Sequence, residues 1–363
     1  MLLSDFDFLL PPEQIAQRPL ATRDASRMLV LERRSGQYVD RAFVDFSDLL
    51  RGNELLVVNN AQVIPARLLG HRIETPVPNS NEPPSAAGAE IEILLARQLD
   101  SVTWEALVRP GRKIHVGQRV KFGKGDLQAE VIARGDHGQR TLRFFSHVQG
   151  DITGQLHAAG HIPLPPYIDR ADEAADRERY QTIFASRPGA IAAPTAGLHF
   201  TPEVVQKIRA RGVEICELTL HVGLGTFQPI RSDTLEGHSM HAESYEIPPE
   251  TAEHITRAKR DSRPVVAIGT TAVRALEDAA RRAAQTDSSE VLIAGPGEAR
   301  LFITPGFAFR AVDALLTNFH LPRSTLLALV CAFAGREPVL AAYRHAVEAK
   351  YRFYSYGDCM LIR

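Results

Sequence analysis

The sequence has few cysteines, no long apolar run and almost no net charge, and each absence excludes a class of protein. Its three cysteines, Cys216, Cys331 and Cys359, lie far apart and form no CxxC pair. Neither a disulfide framework nor a cysteine zinc site is therefore expected, and buried thiols indicate a reducing compartment. No stretch approaches the ~20 apolar residues of a membrane span. The start, MLLSDFDFLLPPEQ, contains two aspartates and no basic residue, unlike a signal peptide. We expect a cytoplasmic protein.

The charged residues nearly balance, with 42 lysines and arginines against 43 aspartates and glutamates. This excludes a protein that binds nucleic acid through bulk positive charge, but it leaves room for a local basic face. Hydrophobic residues make up 44% and charged residues 23% of the chain, as is usual for a soluble globular protein. A chain of 363 residues is long for one domain and has the length expected for two.

Two regions of the chain have different periodicities. Between residues 66 and 145, short segments of alternating polarity are separated by glycine, proline, aspartate or asparagine, which predicts an all-β unit, most simply a small barrel. Residues 74–90 are rich in proline, serine, asparagine and alanine and predict a long loop between two of its strands.

From Ile152 onward the pattern alternates between periods of 3.6 and 2. It predicts helices over 202–211, 250–260, 272–284 and 336–349, and strands over 189–193, 213–222, 264–268 and 299–303. The predicted fold class is therefore α/β. A mixed-sheet α/β domain is built from both chain ends, residues 1–65 and 151–363, and a small β-barrel domain, residues 66–150, is inserted into it.

Four strand-to-loop junctions in the α/β region contain unusual polar residues, and ligands bind at the carboxyl ends of strands in such sheets. The junctions are APTAGLHFTPE with Thr195 and Gly197, LHVGLGTFQPI with Gly223 and Gly225, AIGTTAVRALE with Thr270 and Thr271, and TNFHLPRST with Asn318 and Ser324. Gly223 and Gly225 resemble the start of a dinucleotide-binding loop. However, Gln228 and Pro229 stand where the third glycine and the helix belong, so no nicotinamide or flavin is expected. Gly-Thr-Thr before a helix fits either an anion site or an ordinary cap.

Histidines are concentrated at these junctions, namely His199, His221, His238, His241 and His320. The segment HSMHAE places His238 and His241 near Glu243, a possible metal set, but no helical HExxH motif is present. Proton transfer by an imidazole or by Glu243, with a pKa near neutral, is the better functional interpretation. For each histidine, a structural role in bonding loop carbonyls is the alternative.

Two basic segments predict contacts with RNA. RPGRK supplies Arg109, Arg112 and Lys113, and YRHAVEAKYRFYSYGD supplies Lys350, Arg352 and Tyr354 among further aromatic residues. Basic side chains neutralise phosphates, and aromatic rings stack on unpaired bases. The alternative for the second segment is an amphipathic helix followed by core aromatic residues.

Taken together, these segments resemble the S-adenosylmethionine:tRNA ribosyltransferase-isomerase family of queuosine biosynthesis. The resemblance extends nearly end to end and is carried by FDFLLPPEQIAQRP, RDASRMLVL, VVNNAQVIPARLLG, IPLPPYIDR, RYQTIFA, APTAGLHFT, TLHVGLGTFQPI, HSMHAESYEI, GTTAVRALE, LFITPGF, TNFHLPRSTLLALVCAFAG and YRFYSYGDCMLI. The chain departs from the family at Ala61 and Gln62, where threonine and arginine are common, so these two residues are assigned no role.

The resemblance implies a specific reaction. The ribosyl part of S-adenosylmethionine moves onto 7-aminomethyl-7-deazaguanine at the wobble position of tRNAs with a GUN anticodon, those for aspartate, asparagine, histidine and tyrosine. The sugar rearranges to give epoxyqueuosine, and adenine and methionine are released. The cosubstrate is S-adenosylmethionine, with no permanently bound cofactor and no metal. We also expect a monomer.

The implied chemistry gives the junction residues roles. Because the sulfonium acidifies the adjacent C5′ protons, a base of moderate pKa can begin the reaction, and adenine leaves better with a proton donor nearby. Acid–base roles are predicted for His199, His221, His241, Glu243 and His320. Substrate binding, including hydroxyls and the methionine carboxylate, is predicted for Thr195, Gly197, Gly223, Gly225, Thr226, Phe227, Thr270, Thr271, Arg274, Asn318 and Ser324. Contacts with tRNA are predicted for Arg109, Arg112, Lys113, Lys350, Arg352 and Tyr354.

Two other functions compete with this one. A methyltransferase would use the same cosubstrate, but its glycine-rich strand–loop–helix and acidic ribose-binding residue are not recognisable near the N-terminus. A non-catalytic RNA-binding barrel on an α/β scaffold would have no need of the loop histidines or Glu243.

Overall fold

The computed structural model describes residues 1–73, 88, 90–123, 125–136, 138–146, 151–223, 234–235, 237, 242–286 and 290–363. Contacts divide the chain into two compact units, one formed by residues 1–62, 165–171 and 179–363 and the other by residues 63–164 and 172–178. The boundaries derived from the sequence, 1–65 with 151–363 and 66–150, stay a prediction.

The elements of the described residues are numbered in chain order. The strands are β1 (Arg27–Leu31), β2 (Tyr38–Ala42), β3 (Leu55–Asn59), β4 (Ala61–Val63), β5 (Arg67–Ile73), β6 (Glu90–Gln98), β7 (Thr103–Arg109), β8 (Arg119–Phe122), β9 (Gln128–Arg134), β10 (Gln139–Phe145), β11 (Arg187–Ala190), β12 (Glu214–Leu220), β13 (Glu243–Ile247), β14 (Val265–Ile268), β15 (Gly295–Ala299), β16 (Ala314–Asn318) and β17 (Cys359–Ile362). The α-helices are α1 (Ile152–Ala159), α2 (Asp176–Arg179), α3 (Pro202–Ala210), α4 (Pro249–Arg260), α5 (Thr270–Ala283), α6 (Thr325–Ala334) and α7 (Arg336–Glu348).

The first unit is organised around a mixed sheet of nine described strands in the order β15-β13-β12-β3-β14-β16-β17-β1-β2. Four adjacent strands, β12, β3, β14 and β16, run parallel. Every residue of β3, β14 and β16 is buried, which explains their nearly continuous apolar sequences, since parallel strands are covered on both faces. The carboxyl ends of these four strands therefore meet at one edge of the sheet.

Helices and aromatic side chains cover this sheet. Phe43, Phe46 and Phe200 form edge-to-face and stacked contacts with centroids 5.1–5.7 Å apart and pack with α3 in the core. The rings of the C-terminal segment are also internal, since Tyr351 and Phe353 are 0% exposed. The aromatic residues of YRFYSYG therefore stabilise the core, as the alternative interpretation of that segment supposed.

The second unit contains a closed antiparallel barrel of six strands in the order β10-β7-β6-β5-β8-β9 among the described residues. Alternate residues of β5 and β10 are buried, as expected for strands with one face inside a barrel. A Cβ atom at Gly70 would lie 2.6 Å from the carbonyl oxygen of Lys121, so the approach of β5 to β8 requires glycine. The predicted fold class, α/β with a mixed sheet and a small β-barrel, is confirmed.

Two predicted strands are wrong in position. The strand expected at 299–303 is β15, residues 295–299, which contains Gly295, Pro296 and Gly297. Glycine and proline are not typical of strands, so the sequence pattern does not indicate a strand at these residues. Proline is tolerated here because β15 is an edge strand. The strand expected at 189–193 is β11, residues 187–190, which pairs with β4 outside the nine-stranded sheet. The loop predicted at 74–90 lies almost wholly outside the described residues.

No single helix in the described segments is long and apolar enough to cross a membrane. Among the described helices, α6 and α7 pass that test only when taken together, and they are bent by 117° at the break between them.

Candidate active site

Three of the four predicted junctions lie at the carboxyl edge of the parallel strands, those after β12, β14 and β16. Asn59 ends β3 and Asn318 ends β16, whereas His221 follows β12 and Gly269 follows β14. Because these strands are neighbours in the sheet, the four positions form a row along one edge, where open α/β sheets bind ligands.

Asn59 connects this row and was not assigned a role from the sequence. Its Nδ2 donates to the carbonyl of Leu220 at 2.9 Å and to Oγ1 of Thr271 at 3.3 Å. Its Oδ1 accepts the backbone N–H groups of Ala61 and Leu220, both at 3.0 Å. One buried carboxamide therefore ties β3 to the ends of β12 and α5. The signal in the sequence was an asparagine at the end of the apolar run LLVVN.

Gly269 begins α5 in a conformation that only glycine adopts readily, with φ of +96°. Thr270 is buried and Thr271 is half-buried at the first turn of this helix. A Cβ atom at Gly269 would lie 3.6 Å from Ala196, so the short 3₁₀ helix Thr195–His199 packs directly against this turn. The structure therefore places Thr195, Thr270 and Thr271 at one location.

Gly197 and Ser324 have structural roles in this arrangement. A Cβ atom at Gly197 would lie 2.8 Å from the Thr182 side chain, so the glycine permits close packing. Ser324 caps α6, because its Oγ accepts the N–H of Leu327 at 3.2 Å and donates to the carbonyl of Leu321 at 2.8 Å. Substrate binding by these two residues stays a prediction.

His199 is 3% exposed, and its Nδ1 lies 2.9 Å from Oγ of Ser26. Burial lowers the pKa of His199 to about 4, and a side-chain hydrogen bond with Asn318 has a smaller, opposite effect. The imidazole is therefore neutral at neutral pH and can accept a hydrogen bond.

His320 and His221 are also removed from water, to different degrees. His320 is 9% exposed, its Nε2 lies 2.9 Å from Oγ1 of Thr317, and burial lowers its pKa to about 3. His221 is half-buried, and burial lowers its pKa as well. The expectation of an imidazole with a near-neutral pKa is therefore wrong for His199 and His320, because the protein removes them from water and disfavours the charged form.

Glu243, predicted to be catalytic, and Arg274, predicted to bind substrate, form a buried ion pair between Nη1 of the arginine and Oε2 of the glutamate. Arg274 also donates to the carbonyl of Ala299 at 3.0 Å, and Glu243 accepts the N–H of Gly223 at 3.3 Å. The prediction that Arg274 contacts substrate did not anticipate this partner, since a sequence does not show which charged residues meet in the interior. The pair positions the segment that follows β12.

Asn318 is 2% exposed, and its Nδ2 donates to the carbonyl of Tyr354 at 2.9 Å. This bond uses one of the two N–H groups of Nδ2. Substrate binding by Asn318 stays a prediction.

A cleft beside His199 contains residues that the sequence did not single out. Its lining includes Arg23, Ser26, Arg179, His199, Ser355 and Tyr356. Ser355 also bonds through its Oγ to the hydroxyl of Tyr167 at 2.6 Å. Arginine and serine are too common in sequences for these positions to stand out without the fold.

Some predicted residues lie outside the described part of the chain, namely Gly225, Thr226, Phe227, His238 and His241. Within the described part, no group of three or more histidine, cysteine, aspartate or glutamate side chains is arranged to hold a metal ion.

The predicted tRNA contacts differ in exposure. Arg109 and Arg112 are exposed in the second unit, where the backbone of Lys113 follows them, and Lys350 is exposed in the first unit. Arg352 instead donates to the carbonyl of Arg18, and burial lowers its pKa. Tyr354 is 5% exposed, and its ring stacks on Tyr167 with centroids 4.4 Å apart. The described geometry therefore gives Arg352 and Tyr354 internal partners, and their contact with tRNA stays a prediction.

Known proteins resemble this chain over its whole length. The family model described as "Queuosine biosynthesis protein" matches residues 3–362. The S-adenosylmethionine:tRNA ribosyltransferase-isomerases of Solibacter usitatus and Heliobacterium modesticaldum are 51% and 48% identical to it, covering 100% and 98% of both chains respectively. A crystal structure of S-adenosylmethionine tRNA ribosyltransferase from Thermotoga maritima is 37% identical, covers 99% of this chain and 100% of its own, and has a TM-score of 0.54. The chain belongs to the queuosine biosynthesis protein family.

Proposed function

We propose that this chain is an S-adenosylmethionine-dependent tRNA ribosyltransferase-isomerase of queuosine biosynthesis. It moves the ribosyl moiety of S-adenosylmethionine onto 7-aminomethyl-7-deazaguanine at the wobble position of tRNA and rearranges it. The products are epoxyqueuosine in the tRNA, free adenine and free methionine. The observation that carries the proposal is the match to enzymes of this name over 98–100% of both chains, at 48–51% identity.

The row of residues at the carboxyl edge of the sheet supports this chemistry. A base must remove a C5′ proton next to the sulfonium, and His221 is the best candidate because it is only half-buried and can exchange protons with water. Among the described residues its buried Nδ1 has no partner. Glu243 accepts the N–H of Gly223 and so fixes the turn that follows His221.

Finer features of the proposal concern partners and requirements. The tRNAs are those with GUN anticodons, for aspartate, asparagine, histidine and tyrosine. The enzyme works as a monomer in the cytoplasm, and S-adenosylmethionine is its only cosubstrate, with no metal. Arg109, Arg112, Lys113 and Lys350 contribute phosphate contacts.

Product analysis tests the function. The protein is incubated with S-adenosylmethionine and tRNA containing aminomethyl-deazaguanine, and small molecules are resolved by chromatography. Equal amounts of adenine and methionine are expected, with the RNA gaining the mass of a dehydrated ribose unit. EDTA should leave the rate unchanged. Formation of S-adenosylhomocysteine would instead indicate a methyltransferase, and binding of tRNA without any product would indicate a non-catalytic protein.

A matched substrate supplies the control. The same tRNA with unmodified guanine at the wobble position lacks the nucleophilic amine and should give no product. Replacing His221 by glutamine should lower kcat by about 10²–10⁴ if it transfers the proton. Wild-type kcat in that variant would remove His221 from the mechanism.

A further inference from the structure

The imidazole of His221 packs against the main chain of Gly189 in β11. A Cβ atom added at Gly189 would lie 3.0 Å from Cε1, 3.1 Å from Nδ1 and 3.5 Å from Nε2 of the ring. The first two distances are tighter than most Cβ contacts in proteins, so a residue without a side chain is needed here. The three nearest atoms are the two nitrogens and the carbon between them. Gly189 therefore covers the part of the ring that exchanges protons.

The backbone of Gly189 also requires glycine. Its φ is +137°, in a region that residues with a side chain rarely adopt. A side chain at this position would therefore have two separate effects, strain in the backbone and displacement of the imidazole. The two effects can be distinguished by experiment, because only the second depends on the ring.

The main chain on both sides of Gly189 is held by hydrogen bonds. Before it, the N–H of Ser186 donates to the carbonyl of Asn60 at 2.9 Å. After it, the N–H of Ile191 donates to the carbonyl of Val222 at 3.2 Å. The imidazole, in contrast, can turn about the two single bonds of its side chain. A Cβ atom at Gly189 would therefore displace the ring rather than the strand.

Hydrogen bonds from the described residues do not orient the ring of His221. Its backbone N–H donates to the carbonyl of Ser244 at 3.0 Å, which fixes the main chain but leaves the side chain free to turn. Among the described residues, its buried Nδ1 has no hydrogen-bond partner. In many functional histidines, a hydrogen bond at one ring nitrogen fixes the orientation of the other. Here the contact with Gly189 is the feature that restricts the ring.

We propose that Gly189 is a positioning residue for proton transfer by His221, because its missing side chain lets the imidazole pack in the orientation that the reaction requires. This inference rests on the proposed function, in which His221 removes the C5′ proton. A Cβ atom would displace the ring by a few tenths of an ångström. Since a misplacement of about 1 Å can cost roughly 10²-fold in rate, a shift of this size has a measurable effect.

The experiment compares Gly189→Ala with the wild type and with Gly212→Ala. Gly189→Ala should lower kcat by about 10-fold or more and leave KM for S-adenosylmethionine nearly unchanged, because the ring acts in the transition state. Gly212 has φ of +85° and precedes the opposite end of β12. A Cβ atom there would lie 3.4 Å from the carbonyl oxygen of Gly52, an ordinary contact. The control Gly212→Ala therefore strains the backbone alone and should retain the wild-type kcat.

Two readouts show whether Gly189 acts through His221. In a His221→Gln background the imidazole is absent, so Gly189→Ala should change kcat by less than about 2-fold. In NMR of the labelled full chain, the Cε1–H signal that His221→Gln removes belongs to this ring. That signal should shift in Gly189→Ala and stay in place in Gly212→Ala, because the added carbon lies closest to Cε1.

A stability measurement covers the case in which Gly189→Ala does not fold. His221→Ala removes the ring and leaves room for a Cβ atom at residue 189. The decrease in urea midpoint caused by Gly189→Ala should therefore be smaller in the His221→Ala background than in the wild type, as expected for residues in contact. Backbone strain alone would give the same decrease in both backgrounds.

The proposal is overturned if folded Gly189→Ala retains the wild-type kcat, if it lowers kcat equally with and without the imidazole, or if its effect on stability does not depend on His221. Failure of the proposed function is a separate result. The wild-type enzyme would then release no adenine from S-adenosylmethionine, whereas the shift of the Cε1–H signal and the dependence of stability on His221 would remain.

Discussion

Glu243 and Arg274 form an ion pair in which each side chain is only 7% exposed. Through it, β13 is joined to α5, and further bonds from the same two residues reach Gly223 after β12 and Ala299 at the end of β15. This buried pair of charges therefore helps to hold together the edge of the sheet beside the candidate site.

Removing the cation of this pair should destabilise the protein strongly. Arg274→Met leaves the Glu243 carboxylate buried without its partner and should lower the free energy of unfolding by about 3–5 kcal/mol, measured with urea. The double variant Glu243→Gln with Arg274→Met should lose less than the sum of the two single variants. Arg260→Met, on α4, removes an arginine that is 74% exposed and paired with the exposed Asp261; it is the control and should cost about 1 kcal/mol or less. A small loss of stability with a large loss of S-adenosylmethionine binding would show that Arg274 contacts the substrate instead.

Stability should fall as the pH decreases from about 6.5 to about 4. In the unfolded chain a histidine binds a proton below ~6.5, whereas folded His199 does so only below about 4. The unfolded state therefore binds more protons in this window, and stability present above pH 6.5 is lost, up to about 3 kcal/mol. His320, with a pKa of about 3, adds to the loss. His320→Gln should flatten the decline measured by urea unfolding, whereas His115→Gln, at an exposed position, should not. Equal slopes in both variants would contradict the burial argument.

Salt dependence should locate the tRNA contacts. If Arg109 and Arg112 neutralise phosphates, replacing each by glutamine should make the slope of log K against log salt shallower by about 0.7–0.9. Binding of S-adenosylmethionine should not change. Arg97→Gln is the matched control on the same barrel, because its guanidinium is already bonded to Glu105 by two contacts of 2.9 Å. Slopes that stay at the wild-type value would mean that tRNA binds elsewhere.

Substituting two helix-capping residues can show whether Ser324 has a structural role only or also binds substrate. Ser324 caps α6 and Thr201 caps α3, where its Oγ1 accepts the N–H of Val204 at 3.3 Å. Replacing either residue by alanine should cost about 1 kcal/mol of unfolding free energy. If Ser324 only caps the helix, KM for S-adenosylmethionine should be equal in the two variants. A higher KM confined to Ser324→Ala would confirm the predicted contact with substrate.

The position of the site could be predicted from the sequence, because strand-to-loop junctions are local features. His221, Thr271 and Asn318 each follow or end a recognisable apolar run, and the parallel order of the strands brings these ends together. The six barrel strands were recognisable for a similar reason, since alternation of polarity is a local signal.

Partners and protonation could not be predicted in the same way. Glu243 meets Arg274 and His199 meets Ser26 only through long-range packing. The low pKa values of His199 and His320 result from burial, which a loop-like sequence does not reveal. The edge strand β15 was misplaced because its glycines and proline are tolerated only at the edge of a sheet.

The position of β17 has a consequence for synthesis of the protein. Residues 359–362 lie between β16 and β1, so the ribosome makes nearly all of the sheet before the strand that joins its two parts. Until then, β16 and β1 each present an open edge that other chains can pair with, and such distant pairing is slow. A product terminated before residue 359 would therefore keep both edges exposed and aggregate, although its barrel strands, all within residues 67–145, would be complete.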